Sequence, residues 1–244
     1  MKKYILTLIL ALASLGLYAQ TNRNKTIINA ALHGWEYEIK AGVNLGGTAP
    51  LPFPEEIRSI DGYNPTLSIT IEGNMTKWLD TKKKWGIITG LRLENKGMRT
   101  KATVKNYNME IIGYDGNRLK GNWTGGVRTK VQNSYITIPV LAAYKLSPRT
   151  TLKLGPYFSY LMDGDFSGHV YEGYLRETNP TGDKINFTNG AIATYDFSGD
   201  LRKFQWGVQA GVDWKAFKHL KVHADLNWGL NDIFNKDFKT VTFD

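Results

Sequence analysis

The chain contains no cysteine. Disulfides are therefore excluded, as is a thiol for lipid attachment, and the fold has to hold itself together by packing and hydrogen bonding alone. Long apolar runs are missing as well. Past Gln20 nothing approaches the ~20 consecutive apolar residues of a spanning helix. That excludes a helical membrane protein but not one that crosses with strands, because barrel strands interleave polar residues and escape hydropathy scans. At the N-terminus, Lys2 and Lys3 precede an apolar run from Tyr4 to Leu17, and Leu17-Tyr18-Ala19 supplies a small residue for cleavage. The run is too short to be a retained anchor, so residues 1–19 are expected to be a secretory signal peptide. Acidic residues are the scarcer charge, 22 against 31 basic, for a net +9 that falls by two, to +7, without Lys2 and Lys3. This balance suits acidic partners such as lipid phosphates. A 42% hydrophobic content argues against disorder.

What is present is alternation. Phe204, Trp206, Val208, Ala210, Val212 and Trp214 alternate with Gln205, Gly207, Gln209, Gly211 and Asp213. After Lys215–His219 the pattern resumes, with Leu220, Val222, Ala224, Leu226, Trp228 and Leu230 against Lys221, His223, Asp225, Asn227 and Gly229. A period of two is a strand period, and two such runs around a short turn make a hairpin. Its expected register places Asp213 opposite Lys221, Gly211 opposite His223 and Trp206 opposite Trp228.

Five earlier strands follow by the same reading, over Trp35–Leu45, Tyr63–Met75, Trp85–Asn95, Tyr135–Leu146 and Thr151–Met162. Pro139 and Pro156 fall inside the last two, where each removes a ladder hydrogen bond, so bulges are expected there. The linkers alternate in length. Gly46–Gly62, Gly97–Ser134 and Asp163–Lys203 are long and polar, with turn signals, and are expected to be loops; Thr76–Lys84, Ser147–Thr150 and Lys215–His219 are short. Outer-membrane barrels show this order, with long loops at one end and tight periplasmic turns at the other. Aromatic residues gather near both ends. Trp35, Trp78, Trp85, Tyr144, Tyr160, Phe204, Trp206, Trp214 and Trp228 are the expected girdles at the two membrane interfaces.

The segments Tyr135-Ile-Thr-Ile-Pro139, Leu154-Gly-Pro-Tyr157 and Gly90-Leu-Arg-Leu-Glu94 resemble the small outer-membrane β-barrel family described as PorT-like. The likeness covers most of the chain beyond Trp35 and rests on the order and spacing of motifs. It implies an all-β, antiparallel up-and-down transmembrane barrel of eight strands, carries no catalytic motif, and gives no ground for transferring a role in secretion. The expected organisation is a signal peptide (1–19), a periplasmic lead-in (20–34) and a barrel domain (35–244) in the outer membrane of a Gram-negative cell. Only seven strands are counted up to Leu230. The eighth has to come from Phe238–Asp244, seven residues where a crossing needs ~9–11, so the chain is expected to stop short of a complete barrel with strands one and seven facing each other.

The inward positions gather Glu36, Glu38, Lys40, Glu72, Arg92, Glu94, Asp213, Lys221, His223 and Asp225. Mixed signs in an interior just wide enough for side chains predict a salt-bridged plug, with a narrow pore as the alternative. His223 near Asp213 and Asp225 invites acid/base chemistry, yet no Ser or Cys nucleophile shares the inward face of that hairpin, and no enzyme is inferred. The run Asp163-Gly-Asp165-Phe-Ser167-Gly168 copies the first half of a calcium loop but has Tyr174 where the twelfth-position Glu belongs, so it reads as an acidic turn. No metal and no cofactor is expected. The segment Gly97–Ser134 carries Arg99, Lys101, Lys105, Arg118, Lys120, Arg128 and Lys130 against Glu110 and Asp115, a net +5. A solvated loop is its plain reading, and contact with outer-membrane lipid and lipopolysaccharide phosphates its functional one; the export signal argues against nucleic acid. A monomeric scaffold with an unidentified envelope partner is the main reading. A soluble lipocalin-like barrel, which would turn its apolar face inward, and a membrane-embedded lipid hydrolase or acyltransferase are the alternatives.

Overall fold

The computed structural model describes residues 35–48, 54–113, 116–235 and 238. Tyr37–Asp244 forms one compact unit; of the other, Met1–Glu36, the described part is Trp35 and Glu36. The expected signal peptide and lead-in, and residues 239–244, lie outside the described residues. So do Tyr114 and Asp115.

Nine strands are described. They are β1 (Trp35–Asn44), β2 (Ile57–Thr66), β3 (Ser68–Trp78), β4 (Trp85–Ile112), β5 (Arg118–Lys145), β6 (Thr150–Glu177), β7 (Lys184–Asp196), β8 (Phe204–Phe217) and β9 (Leu220–Gly229). Their order in the sheet is β1-β3-β4-β5-β6-β8-β9, with β2 added on β4 and β7 paired to both β6 and β4. The seven strands of the main path are the seven that alternation predicts.

These seven are inside out by the standard of a soluble protein. Ile69, Ile71, Leu91, Leu154, Val222 and Leu226 point outward and are exposed, whereas Glu72, Arg92, Thr137, Lys153, Gln209 and Asp213 are buried. Such an arrangement is stable only where the surroundings are apolar, which removes the soluble alternative. The two ends of the path face each other, as expected. Lys221 of β9 reaches Glu38 of β1 at 2.7 Å, and a Cβ on Gly42 of β1 would meet His223 Nε2 at 3.2 Å. Phe238, the one described residue of the expected eighth strand, sits in no strand and packs on Phe234 at 4.3 Å between ring centroids.

The long linkers are not loops. Much of Gly97–Ser134 continues β4 and β5, Asp163–Lys203 continues β6 to Glu177 and then forms β7, and the end of Gly46–Gly62 begins β2. Tyr63–Thr66, expected at the start of strand two, belongs to β2, which runs beside the distal part of β4 from Ile57↔Val104 to Thr66↔Gly97. The calcium-like run Asp163–Gly168 is likewise strand, not turn. Beyond the barrel, β4, β5, β6 and β7 therefore form a second layer, closed by an Ile112–Thr194 pairing between β4 and β7. A core makes this layer possible: Val104, Met109, Ile111, Trp123, Val170, Leu175, Phe187 and Tyr195 are buried together. Trp123 lies against Gly125 of β5 and Gly173 of β6. A Cβ on Gly173 would stand 2.8 Å from the Trp123 ring and 2.8 Å from Gly125 Cα, so only glycine fits there. Thr124-Gly125-Gly126, whose glycines read as a turn signal, runs within β5, opposite a bulge at Glu172 of β6.

The prolines also behave otherwise than expected. Register is the same on both sides of Pro139 and Pro156, with rungs missing and no bulge. Each has a glycine as its accommodation. Gly90 lies where the β4–β5 ladder lapses opposite Pro139, and Gly155, beside Pro156, sits so close to β5 that a Cβ would touch the Val140 carbonyl.

Candidate functional site

The barrel interior is filled in three tiers. Near the short turns, Trp78, Ile88, Leu141 and Ala143 form an apolar floor. At the other end Tyr135, Leu161 and Leu201 form a roof, backed by Ile233 and Phe234. The roof is strapped on by the segment after β9, since Arg202 N donates to the Ile233 carbonyl at 2.7 Å and Asn235 N to the Asp200 carbonyl at 2.9 Å.

Between floor and roof lies the charge network. Strand alternation aims one side chain in two inward, and strand pairing sets opposite charges at neighbouring heights. Arg92 of β4 donates from Nε to Glu72 of β3 and from Nη2 to Gln209 of β8, the latter at 2.7 Å. Glu94 takes Thr137 Oγ1 at 2.8 Å and lies 3.2 Å from Lys96 Nζ. Thr137 and Ser159 share a further 2.7 Å hydrogen bond. Lys153 of β6 stands 2.6 Å from Asp213 and 2.8 Å from Asp225, and Lys40 of β1 completes the ring at 3.8 Å from Glu72 and 3.7 Å from Asp213.

Lys40, Glu72, Arg92, Glu94, Asp213 and Asp225 thus converge as the sequence predicts. Lys221 and Glu38 pair separately at the β9–β1 junction, and Glu36 is the second residue of β1. The expected Asp213–Lys221 pairing is wrong. β8 runs to Phe217 with an irregularity after Lys215, which shifts the hairpin so that Asp213 faces His223, Gly211 faces Asp225 and Val208 faces Trp228. Sequence reasoning missed Lys153, Gln209, Thr137 and Ser159, although Lys153, Tyr157 and Ser159 occupy alternate positions of β6 and were open to the same parity argument.

The aromatic residues expected as girdles lie toward the two ends of the strands, with one exception in orientation. Trp85 and Tyr144 pack at 4.5 Å beside the short turns, with Trp214 at the same end, while Phe158 and Phe204 stack at the far end beside Tyr160, Trp206 and Trp228. Trp35 opens β1. Trp78 does not belong to them. It points inward to the floor, under Lys145 Nζ at 4.8 Å, because it falls one residue out of step with the outward set of β3.

The expected basic loop is part of the β4–β5 sheet. Arg99 pairs in register with Lys130 and Lys101 with Arg128, while Arg118, Lys120 and Lys105 lie nearer the hairpin tip, Arg118 in a 2.9 Å bridge to Glu110. Three titrating groups neighbour this face. Burial tends to raise the Asp165 carboxyl, but hydrogen bonds from Lys130 and Ser167 outweigh it and hold it below the usual range. Hydrogen bonds from Ser59 and then Thr103 lower Asp61. Burial and the Arg128 charge push His169 down.

An apolar outside around a charged, hydrogen-bonded inside defines a β-barrel built to sit in lipid. Residues 18–235 match the family model described as Outer membrane protein beta-barrel domain, and the chain belongs to that family. It is an integral outer-membrane β-barrel protein. No curated protein and no solved structure matches it.

Proposed function

We propose that this barrel is a closed scaffold that holds a β-sheet platform at the cell surface, with no catalytic role and no open pore. The observation that carries the reading is the Arg92–Gln209 hydrogen bond at 2.7 Å. β4 and β8 are separated in the sheet by β5 and β6, so one arginine side chain bridges the interior where a conducting path would run. The network around it leaves the charges paired, and a buried pair in which each ion has further hydrogen bonds is costly to open. Residues 1–19 act as the export signal in this reading, the short turns face the periplasm and the second layer faces outward.

Planar-bilayer recording on the refolded full chain tests the plug: steady baseline current supports it, and discrete unitary steps would replace the scaffold with a pore. The absence of native cysteine makes orientation easy to measure. Pro180→Cys, at the exposed β6–β7 turn, should react with an impermeant maleimide on intact cells, and Lys82→Cys, at the β3–β4 turn, should not. The reverse pattern would invert the topology.

A further inference from the structure

Four cations on the second layer stand where electrostatics alone would not put them. Arg99 and Lys101 of β4 face Lys130 and Arg128 of β5 in register, so like charges are direct cross-strand neighbours, an arrangement that is destabilising by itself. All four are exposed. Their compensation is thin: Lys130 pairs with Asp165 at 2.8 Å and Arg128 lies over the Tyr171 ring at 5.0 Å, while among the described residues Arg99 and Lys101 have no carboxylate in ion-pair range. Asp61, beside the Gly62 that pairs with Lys101, is occupied by hydrogen bonds from Ser59 and Thr103.

The face they occupy is continuous with the lipid-facing surface. Leu91 and Leu93 point the same way on β4, two residues apart in the same parity as Arg99 and Lys101. From Leu93 to Arg99 is about 20 Å along the strand at roughly 3.3 Å per residue, or about 15 Å of height at a barrel tilt of roughly 40°. A phospholipid headgroup zone reaches only about 5–8 Å past the hydrocarbon. The block therefore stands above ordinary headgroups, at the level of a lipid whose head is a bulky saccharide.

We infer that Arg99, Lys101, Arg128 and Lys130 form a docking site for the phosphorylated saccharide head of an outer-leaflet glycolipid. The assignment rests on the outer-membrane, platform-outward reading above. Multiple cations at cross-strand spacing suit several phosphates on one head, and release of their mutual repulsion adds to the attraction.

The test uses the refolded full chain in zwitterionic micelles, titrated with a phosphorylated lipooligosaccharide, its dephosphorylated form and phosphatidylglycerol, and followed by native mass spectrometry. The phosphorylated form should bind at least tenfold tighter than either other lipid. Replacing all four cations by Gln should remove that preference, whereas Lys82→Gln, Lys83→Gln, Lys84→Gln and Lys218→Gln together, an equal charge loss at the opposite end, should leave it. Asp165→Asn, which frees Lys130, should tighten binding, so the proposal does not depend on a loss. Equal binding of the three lipids, equal weakening by the two quadruple variants, or displacement of the lipid by soluble polyphosphate at matched phosphate concentration would each overturn it. Heat-modifiable gel mobility is scored on every sample. A wild-type chain without that shift refutes the barrel reading, and a shifted chain without lipid preference refutes the docking site alone.

Discussion

Asp213 faces His223 across the β8–β9 hairpin, yet its carboxylate is held by Lys153 from the other side, at 2.6 Å. The same ammonium lies 2.8 Å from Asp225, so one fully buried lysine bridges the carboxylates of two strands. Lys153→Met should leave Asp213 with the more distant Lys40 and take from Asp225 its one ion pair among the described residues, destabilising the barrel by about 3–5 kcal/mol, the usual consequence of removing one buried partner. Lys221→Ala, which breaks the partly exposed pair with Glu38, should lose no more than about 1 kcal/mol. Urea unfolding in lipid vesicles measures both. Equal midpoints would show that the lumen is wet enough to screen Lys153.

The second layer should respond separately from the barrel. Trp123 is fully buried on a bed made by Gly125 and Gly173, so Trp123→Ala should cost about 3–5 kcal/mol in that layer. Gly173→Val should disrupt it through overlap with the Thr124 carbonyl and the ring. Both variants should keep the heat-modifiable shift and gain protease cleavage between residues 97 and 134. Loss of the shift along with cleavage would mean that the two layers fold as one cooperative unit.

Tryptophan emission distinguishes lipid-facing from inward rings. Among single-Trp variants in vesicles of brominated lipid, Trp85, Trp214 and Trp228 should be strongly quenched, while Trp78 and Trp123 should be shielded. Quenching of Trp78 comparable to Trp85 would return it to the girdle and break the apolar floor.

His169 provides a pH signature. Burial and Arg128 lower its pKa below the ordinary 6.5, so the unfolded layer binds the proton more readily than the folded one. Stability contributed by the neutral ring is therefore complete above about pH 6.5 and is lost as pH falls from there through the folded value. The protection factor for hydrogen exchange in the paired His169 and Thr194 strands should fall on acidification across that window, and His169→Gln should flatten the change. A response of the same size in the Gln variant would assign it to another group.

The spanning strands were legible because lipid on one side and a packed lumen on the other force strict alternation, as in Leu152, Leu154 and Phe158 against Lys153, Tyr157 and Ser159. Register was less so. It depends on the backbone path at Lys215–Phe217, where an irregular rung moved Asp213 from Lys221 to His223. The second layer was hidden by composition. Met98, Ala102 and Val104 do alternate with Arg99, Lys101 and Lys105, but the charged members dominate any polarity reading, and the glycines at 125 and 126 look like a turn until the rings of Trp123 and Tyr171 are seen to need them. Lys153 escaped notice because a lone lysine between two leucines carries no sign of the carboxylates that β8 and β9 bring to it.

β4, β5 and β6 are each 28 residues long, roughly 90 Å of strand at about 3.3 Å per residue, and each passes from the barrel into the second layer without a connecting loop. Three paired strands of that length act as a mast whose joint at the barrel mouth is only a one-residue shift of the β5–β6 ladder, between Ser134 and Tyr135. A sideways pull on the outer layer is then delivered to the bilayer as torque on the barrel wall, and the load passes through the Glu94, Thr137 and Ser159 rungs where those same strands enter the lumen.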